Sequence, residues 1–312
     1  MPFDEQTSLA SPTGATLNLL VKQAATPARG VVHVSHGLAE HAARYARFAD
    51  ALSAAGFHVY AHDHRGHGLT RAPDAPLGRF GNPDGVEKLL ADVDFVQNRI
   101  LREHPGLPLI LFGHSMGAIV ALNSVLRRSA QLSGAAIWNA NFSPGIMGRL
   151  GQAILAWERF RLGSDMPSRL MPRLTFQDWG DKVPGHRTPF DWLSGDPEEV
   201  RKYIEDPLCG WNASVSMWHD IFAMVFRGAD DRSFATVRRD LPFNLVGGGA
   251  DPSTVGGLAV EELAGRMRRM GFSNLVSRIY PDTRHECLND LNRDVVTADF
   301  VAWAQDLAPR KP

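Results

Sequence analysis

Short apolar runs alternate along this chain with longer stretches whose apolar positions recur every three or four residues. The runs are GVVHVSHG (30–37), HVYAHD (58–63), PLILFGHS (108–115), GAAIWNAN (134–141), PFNLVGGG (242–249) and LVSRIYPD (275–282). Each closes on Gly, Ser, Asn or Asp, residues that interrupt a strand and favour a turn. Helical spacing falls between them, near 41–55, 84–104, 116–128, 256–270 and 290–306. Continuous apolar strands separated by helices predict an α/β fold, a mostly parallel sheet with helices on both faces.

The alternation breaks between about 143 and 226. Five of the seven tryptophans lie there (Trp157, Trp179, Trp192, Trp211, Trp218), with breaker segments DMPSRLMPRL and KVPGHRTP and no buried strand pattern. The strand pattern resumes at LPFNLVGGG. The chain therefore divides into a first core segment, 1–142, a helical cap insertion, 143–226, and a second core segment, 227–312. Inside the insertion, Ile146, Leu150, Ile154 and Trp157 repeat at helical spacing and form one apolar stripe, expected to pack on the core or, in part, to line an acyl pocket.

Charge narrows the function classes. Lys and Arg number 33 against 34 Asp and Glu, so no net field recruits nucleic acid or an anionic membrane surface. Two cysteines, Cys209 and Cys287, are too few for a disulfide framework. The first twenty residues lack a basic n-region and a long apolar run, and no stretch reaches the roughly 18 apolar residues of a membrane span. A cytoplasmic protein without stable membrane insertion is the expectation.

One segment carries chemistry. In LILFGHSMGAIVAL (109–122) a serine, Ser115, stands between Gly113 and Gly117 where a strand pattern gives way to a helix pattern. A G-x-S-x-G turn in that context is so sharp that only glycine fits at its flanks, and it lifts the hydroxyl above the carboxyl edge of the sheet. A serine nucleophile needs a base, and the base needs a group to hold its tautomer. Of the twelve histidines only His186, His219 and His285 follow Ser115. The first two fall in the insertion, which leaves His285, just past the last strand pattern. The acid belongs after the preceding strand, where GGGADPS supplies Asp251; Asp282, three residues before His285, is the weaker rival. The backbone N–H groups of Met116 and Leu38, at the ends of two strands, are the candidate oxyanion donors. The histidine-rich HDHRGHG (62–68) has no cysteine or carboxylate set to complete a metal site, and Asp63, Gly66 and Gly68 read as a structural turn. Glu40 and His41 read as residues that order the neighbouring loop, Cys287 as a bystander thiol near the site, and Cys209 has no evident role.

HGLAEHAARYARFADALSAAGFHVYAHDHRGHGLT, GHSMGA, GGGADPS and HECLND, in this order, resemble the monoacylglycerol lipase and lysophospholipase branch of the α/β-hydrolase superfamily, grouped with the serine aminopeptidases. The resemblance implies the same Ser115, Asp251, His285 triad and the same Leu38 and Met116 donors. One position departs: the family's H-G-x-G-E-H reads H-G-L-A-E-H, with Ala39 at the second glycine. The resulting expectation is an ester hydrolase acting through an acyl-enzyme on a small ester with an apolar acyl chain, with no cofactor and no metal. Phe142, Ile146, Met147 and Trp157 are the candidate walls of the acyl pocket. A serine aminopeptidase or an acyltransferase would use the same triad, and acidic residues of the insertion such as Asp178, Asp181 and Asp220 leave the former open.

Overall fold

The computed structural model describes residues 3–308. Its centre is one eight-stranded sheet, formed by β1 (Glu5–Ala10), β2 (Thr16–Lys22), β3 (Gly30–Ser35), β4 (Phe57–His62), β5 (Leu109–His114), β6 (Gly134–Trp138), β7 (Phe243–Gly248) and β8 (Leu275–Tyr280). The spatial order is β1-β2-β4-β3-β5-β6-β7-β8. The first three strands in that order pair antiparallel and the rest are parallel.

The six expected runs all form strands, and burial explains why they were legible. Every residue of β3, β5, β6 and β7 is buried, as parallel strands covered on both faces require. The hairpin of β1 and β2 was not anticipated. In β1 exposed and half-buried residues alternate, the pattern of an edge strand rather than a buried one.

Strand residues divide between two cores. Val31, Leu109, Leu111, Ala135, Ile137, Phe243 and Leu245 pack on one face against α2 (Gly85–Glu103), α3 (Met116–Arg128) and α8 (Leu258–Arg269). Val32, Val34, Ile110, Phe112, Ala136, Trp138 and Val246 pack on the other against α1 (Ala46–Ala54) and α9 (Arg293–Leu307). Successive residues of each strand thus feed opposite layers.

Between β6 and β7 the chain runs through α4 (Gly145–Leu162), the short α5 (Asp178–Asp181), α6 (Pro197–Glu205) and α7 (Val215–Ala229), with no named strand. The orientation of α4 differs from the sequence expectation. Its buried positions are Gly148, Gly151, Leu155 and Glu158, and the two glycines lie against the rings of Phe226 and Phe222 on α7. Close approach through glycine sets which side faces inward. Most of the apolar stripe faces out, Ile146 82% exposed and Leu150 and Trp157 about half, with Ile154 half-buried; Met147 beside it is 69% exposed.

Strand order also fixes where a site can form. The connection leaving β3 goes to β4 on one side, and the chain then crosses to β5 on the other side. Beyond the carboxyl ends of β3 and β5, loops therefore diverge and leave a crevice, the usual ligand site of open α/β sheets.

Candidate active site

Ser115 occupies this crevice. It follows β5 and precedes α3 with φ 56° and ψ −121°, a conformation a side chain adopts only under constraint. Its glycine neighbours show the constraint. A β-carbon at Gly113 would fall on the backbone of Gly117, and one at Gly117 would meet the carbonyls of Ser35 and His36. The turn is possible only because both positions lack a side chain.

His285, on the loop after β8, brings its Nε2 to 2.8 Å from Ser115 Oγ. On its other side Nδ1 lies 2.9 Å from Asp251 Oδ2. Both groups are buried, Asp251 completely. Burial opposes the Asp251 charge, but the adjacent His285 and the donors from Ser253 and Asn139 outweigh it and hold the carboxyl down to about 2. Asp282 is exposed at the start of the His285 loop.

Several partners of Asp251 have no signature in the sequence. Asn139 Nδ2 donates to Oδ2 at 3.1 Å and Thr254 Oγ1 at 3.0 Å. Ser253 donates to Oδ1 through both its N–H, at 2.9 Å, and its hydroxyl, at 2.7 Å, and that hydroxyl also lies 2.9 Å from His285 Nδ1. Asn139 in turn accepts from Cys287 Sγ at 3.2 Å. That thiol is buried and pushed well above its ordinary range, so it is a structural neighbour of the site. Ser253 was traceable in principle, since Asp-Pro-Ser is a common turn in which the Asp side chain accepts a bond two residues on.

The loop after β3 closes the crevice from the other side. A β-carbon at Gly37 would sit 3.4 Å from Ser115 Cβ, so this loop and the serine are in contact. Glu40 orders it, accepting from Gly37 N–H at 2.5 Å and from Tyr45 Oη at 2.8 Å. Arg44 links Glu40 (2.7 Å) to Glu286 (2.6 and 2.7 Å), the residue after His285. One guanidinium thus joins the loop carrying Leu38 to the loop carrying His285. Among the described residues, neither the N–H of Leu38 nor that of Met116 has an acceptor in the protein. Ala39 has φ 55°, the left-handed conformation that accounts for glycine at this place in the resembling family. Its carbonyl accepts from Tyr203 Oη and from Gly210 N–H, both at 3.0 Å.

A cavity of about 30 Å³ adjoins Ser115 and His285, walled by Leu38, Phe176, Phe190, Trp192, Leu193 and Tyr203. The ring of Trp192 lies 4.7 Å from that of His285. The four residues expected to wall an acyl pocket are elsewhere. Phe142 is buried against Gly228, and Ile146, Met147 and the half-exposed Trp157 lie on the outer side of α4. A larger cavity of about 410 Å³ opens between Thr188, Val200, Ile204 and Arg284, away from Ser115. The turn of 63–68 is structural: Asp63 accepts from Asn18, Ala42 and Leu69 at 2.8 Å each. Among the described residues no helix is long and apolar enough to cross a membrane.

The chain is similar in sequence and fold to known proteins. A monoacylglycerol lipase of Mycolicibacterium smegmatis is 28% identical over 286 residues, 89% of this chain and 89% of that protein. Human monoglyceride lipase is 29% identical over 232 residues, 74% of this chain and 67% of that one. In fold, a thermostable carboxyl esterase from Bacillus coagulans in complex with glycerol matches with a TM-score of 0.88 at 23% identity, over 97% of this chain and 98% of the other. Residues 26–292 match the model of a family described as serine aminopeptidase, S33. A match running from just before β3 to just before α9 takes in nearly the whole parallel sheet, and the chain is a member of the serine aminopeptidase S33 family with an α/β-hydrolase fold.

Proposed function

We propose that the protein is a carboxylic ester hydrolase that cleaves monoacylglycerols or similar single-chain lipid esters through an acyl-enzyme on Ser115. The observation that carries this reading is the unbroken hydrogen-bond chain from Ser115 Oγ through His285 to Asp251. His285 Nε2 takes the serine proton as Oγ attacks the ester carbonyl, and Asp251 holds the Nδ1–H tautomer and stabilises the imidazolium. The proton then passes to the glycerol oxygen as the C–O bond breaks. Water enters, gives its proton to His285 and releases the acid. The N–H groups of Leu38 and Met116 receive the carbonyl oxygen as it gains charge, each worth about 3 kcal/mol in the transition state.

Substrate choice rests on the aromatic walls above Ser115. A cavity of about 30 Å³ holds little more than a water molecule or two, so an acyl chain enters only when the cap, residues 143–226, moves relative to the core segments 1–142 and 227–312. The relatives named as monoacylglycerol and monoglyceride lipases support a glycerol monoester. We assign the reaction to the cytoplasm.

The family's name raises a second reading, cleavage of an N-terminal residue, which needs a carboxylate free to hold an amine. Glu40 and Glu286, at the cavity, both bind Arg44. Asp178 pairs with Lys182, Asp181 is exposed, and Asp220 packs against Gly85. The ester reading is therefore favoured. Glycerol monoesters of graded acyl length, aminoacyl anilides and competing alcohol acceptors decide between hydrolase, peptidase and transferase. The expected result is release of free acid from glycerol esters, lost in Ser115→Ala. Faster turnover of aminoacyl anilides, or full activity in Ser115→Ala, would overturn it.

A further inference from the structure

We propose that His41, Asp206 and Cys209 form a binding site for a zinc-like divalent cation that pins the cap to the loop after β3 and so inhibits the hydrolase. The inhibition half of this inference rests on the function proposed above.

His41 lies two residues beyond Ala39 on that loop, and Asp206 and Cys209 lie on the turn after α6. The ligand atoms of all three lie within 4.8 Å of one another, and His41 Nε2 and Asp206 Oδ2 are already 2.8 Å apart. Zinc bonds of roughly 2.0 Å to nitrogen or oxygen and 2.3 Å to sulfur place ligand atoms about 3.3–3.6 Å apart in a tetrahedron. Small side-chain movements therefore bring the three donors around one ion, with the fourth position left for water. An imidazole, a carboxylate and a thiolate together suit a borderline cation and discriminate against magnesium and calcium.

The surroundings favour this use. The turn is held in shape before any ion arrives: Asp206 accepts from Leu208 N–H at 2.9 Å through Oδ1, and its carbonyl accepts from Cys209 N–H at 3.0 Å. Oδ2, the other oxygen, is the one turned to His41. His41 is buried, while Asp206 and Cys209 are half-buried, which gives an ion a route in. The nearby Arg44 cation is matched by two carboxylates, Glu40 and Glu286, so Asp206 leaves the neighbourhood net negative.

The consequence follows from what the two pieces already share. Tyr203 and Gly210, which bracket the proposed ligands, both hold the Ala39 carbonyl. An ion holding His41 from the loop and Asp206 with Cys209 from the cap ties the two sides together through three metal–ligand bonds, across the seam that must part for an acyl chain to enter.

Two measurements on the purified full-length protein test this. Titration with Co²⁺ alone reads the site directly: we expect one equivalent to give tetrahedral cobalt bands with a thiolate charge-transfer feature, displaced by Zn²⁺. Cys209→Ser should remove that feature. A spectrum without thiolate character, or one unchanged by Cys209→Ser, overturns the site whether or not the protein hydrolyses esters. In the second, Zn²⁺ should inhibit glycerol-ester hydrolysis reversibly, with relief by a chelator, and Cys209→Ser or Asp206→Asn should weaken that inhibition by at least about tenfold. Inhibition undiminished in both variants shows that the ion acts at another site and overturns the proposal. Cobalt binding through Cys209 in a protein inactive on esters keeps the metal site and rejects only the function on which its effect depends.

Discussion

The hydroxyl of Tyr203, on α6, donates to the carbonyl of Ala39, on the loop after β3, at 3.0 Å. Ala39 is held in the left-handed region, where a residue with a β-carbon is disfavoured by roughly 1–2 kcal/mol. The adjacent peptide carries the Leu38 N–H proposed above to receive the oxyanion. Tyr203→Phe should therefore lower kcat on a short-chain glycerol ester about fivefold, the worth of one hydrogen bond of roughly 1 kcal/mol, with little change in KM. Adding Ala39→Gly should recover most of that loss, because glycine holds the same conformation unaided. Steady-state kinetics on the two single variants and the double variant check this; a rise in KM at constant kcat would mean that the contact serves binding only.

Asp251 and Ser253 both reach His285 Nδ1, at 2.9 Å each, yet they should differ widely in effect. Asp251→Asn removes the charge that stabilises the imidazolium and upsets the tautomer, and a loss of kcat of about 10⁴-fold is expected. Ser253→Ala leaves Asp251 in place and should cost only a few-fold. Because Asp251 is held down to about 2, it stays ionised well below neutrality, and any fall in activity between pH 7 and 5 should survive in Ser253→Ala. Measured kcat values for the two variants decide the point. If Asp251→Asn kept activity within tenfold of the parent, the acid would have to be sought elsewhere, Asp282 included.

The legible parts of this protein are those where one segment carries its own physical reason. Met116–Arg128 is the helix expected at 116–128, since a glycine-flanked serine separates a buried strand from a buried helix. The meeting of Ser115, His285 and Asp251 follows from each standing at the end of a strand pattern. What escaped detection depends on pairs far apart in sequence. Arg44 and Glu286 are separated by 242 positions, and Asn139 and Asp251 by 112. The outward face of α4 runs against what side-chain size favours, because Gly148 and Gly151 admit Phe226 and Phe222 and so set which side faces in.

The exposed face of α4 invites an apolar partner. Ile146, Met147, Leu150 and Phe160 stand more than half exposed on α4, a costly arrangement unless an apolar surface covers it for part of the time. The proposed substrates gather at lipid–water boundaries, which would supply that surface. Burying one large apolar side chain is worth about 1.5–3 kcal/mol. Phe160→Ser or Ile146→Ser should then reduce hydrolysis of emulsified long-chain monoesters about tenfold and leave water-soluble short-chain esters within about twofold. Parallel assays on the two substrate forms measure this, and equal losses on both would show that the face serves folding instead.

Five histidines, His33, His36, His62, His64 and His67, are buried together behind the loop after β3. Strand pairing sets His33 beside His62, with Nε2 and Nδ1 3.1 Å apart, and the backbone N–H of His64 donates to the His36 ring at 2.9 Å. Burial disfavours the charged ring in every case: it holds His33 down to about 3, lowers His36, and keeps His62, His64 and His67 well below the ordinary value. In the unfolded chain each ring titrates near 6.5. Below that pH the unfolded chain binds more protons than the folded one, so stability is intact above about pH 6.5 and falls as the medium is acidified, by up to about 1.4 kcal/mol per pH unit for each ring. His114 works against this trend. Burial opposes its charge, but Glu40 prevails and raises it, so its contribution is present below 6.5 and is lost on going upward. Asp220, which burial raises to about 7, opposes the trend too, since the folded chain takes up that proton first as the pH falls. Burial lowers His58, His104 and His219, which act with the five. Urea unfolding at pH 7, 6 and 5 should therefore show stability declining with a slope of about three or more protons, in a window well above the Asp251 titration. His33→Gln, or His62→Gln if the first fails to fold, should make the slope shallower by about one proton. A free energy of unfolding that stays flat from pH 7 to 5 would mean that these rings are not buried as uncharged groups.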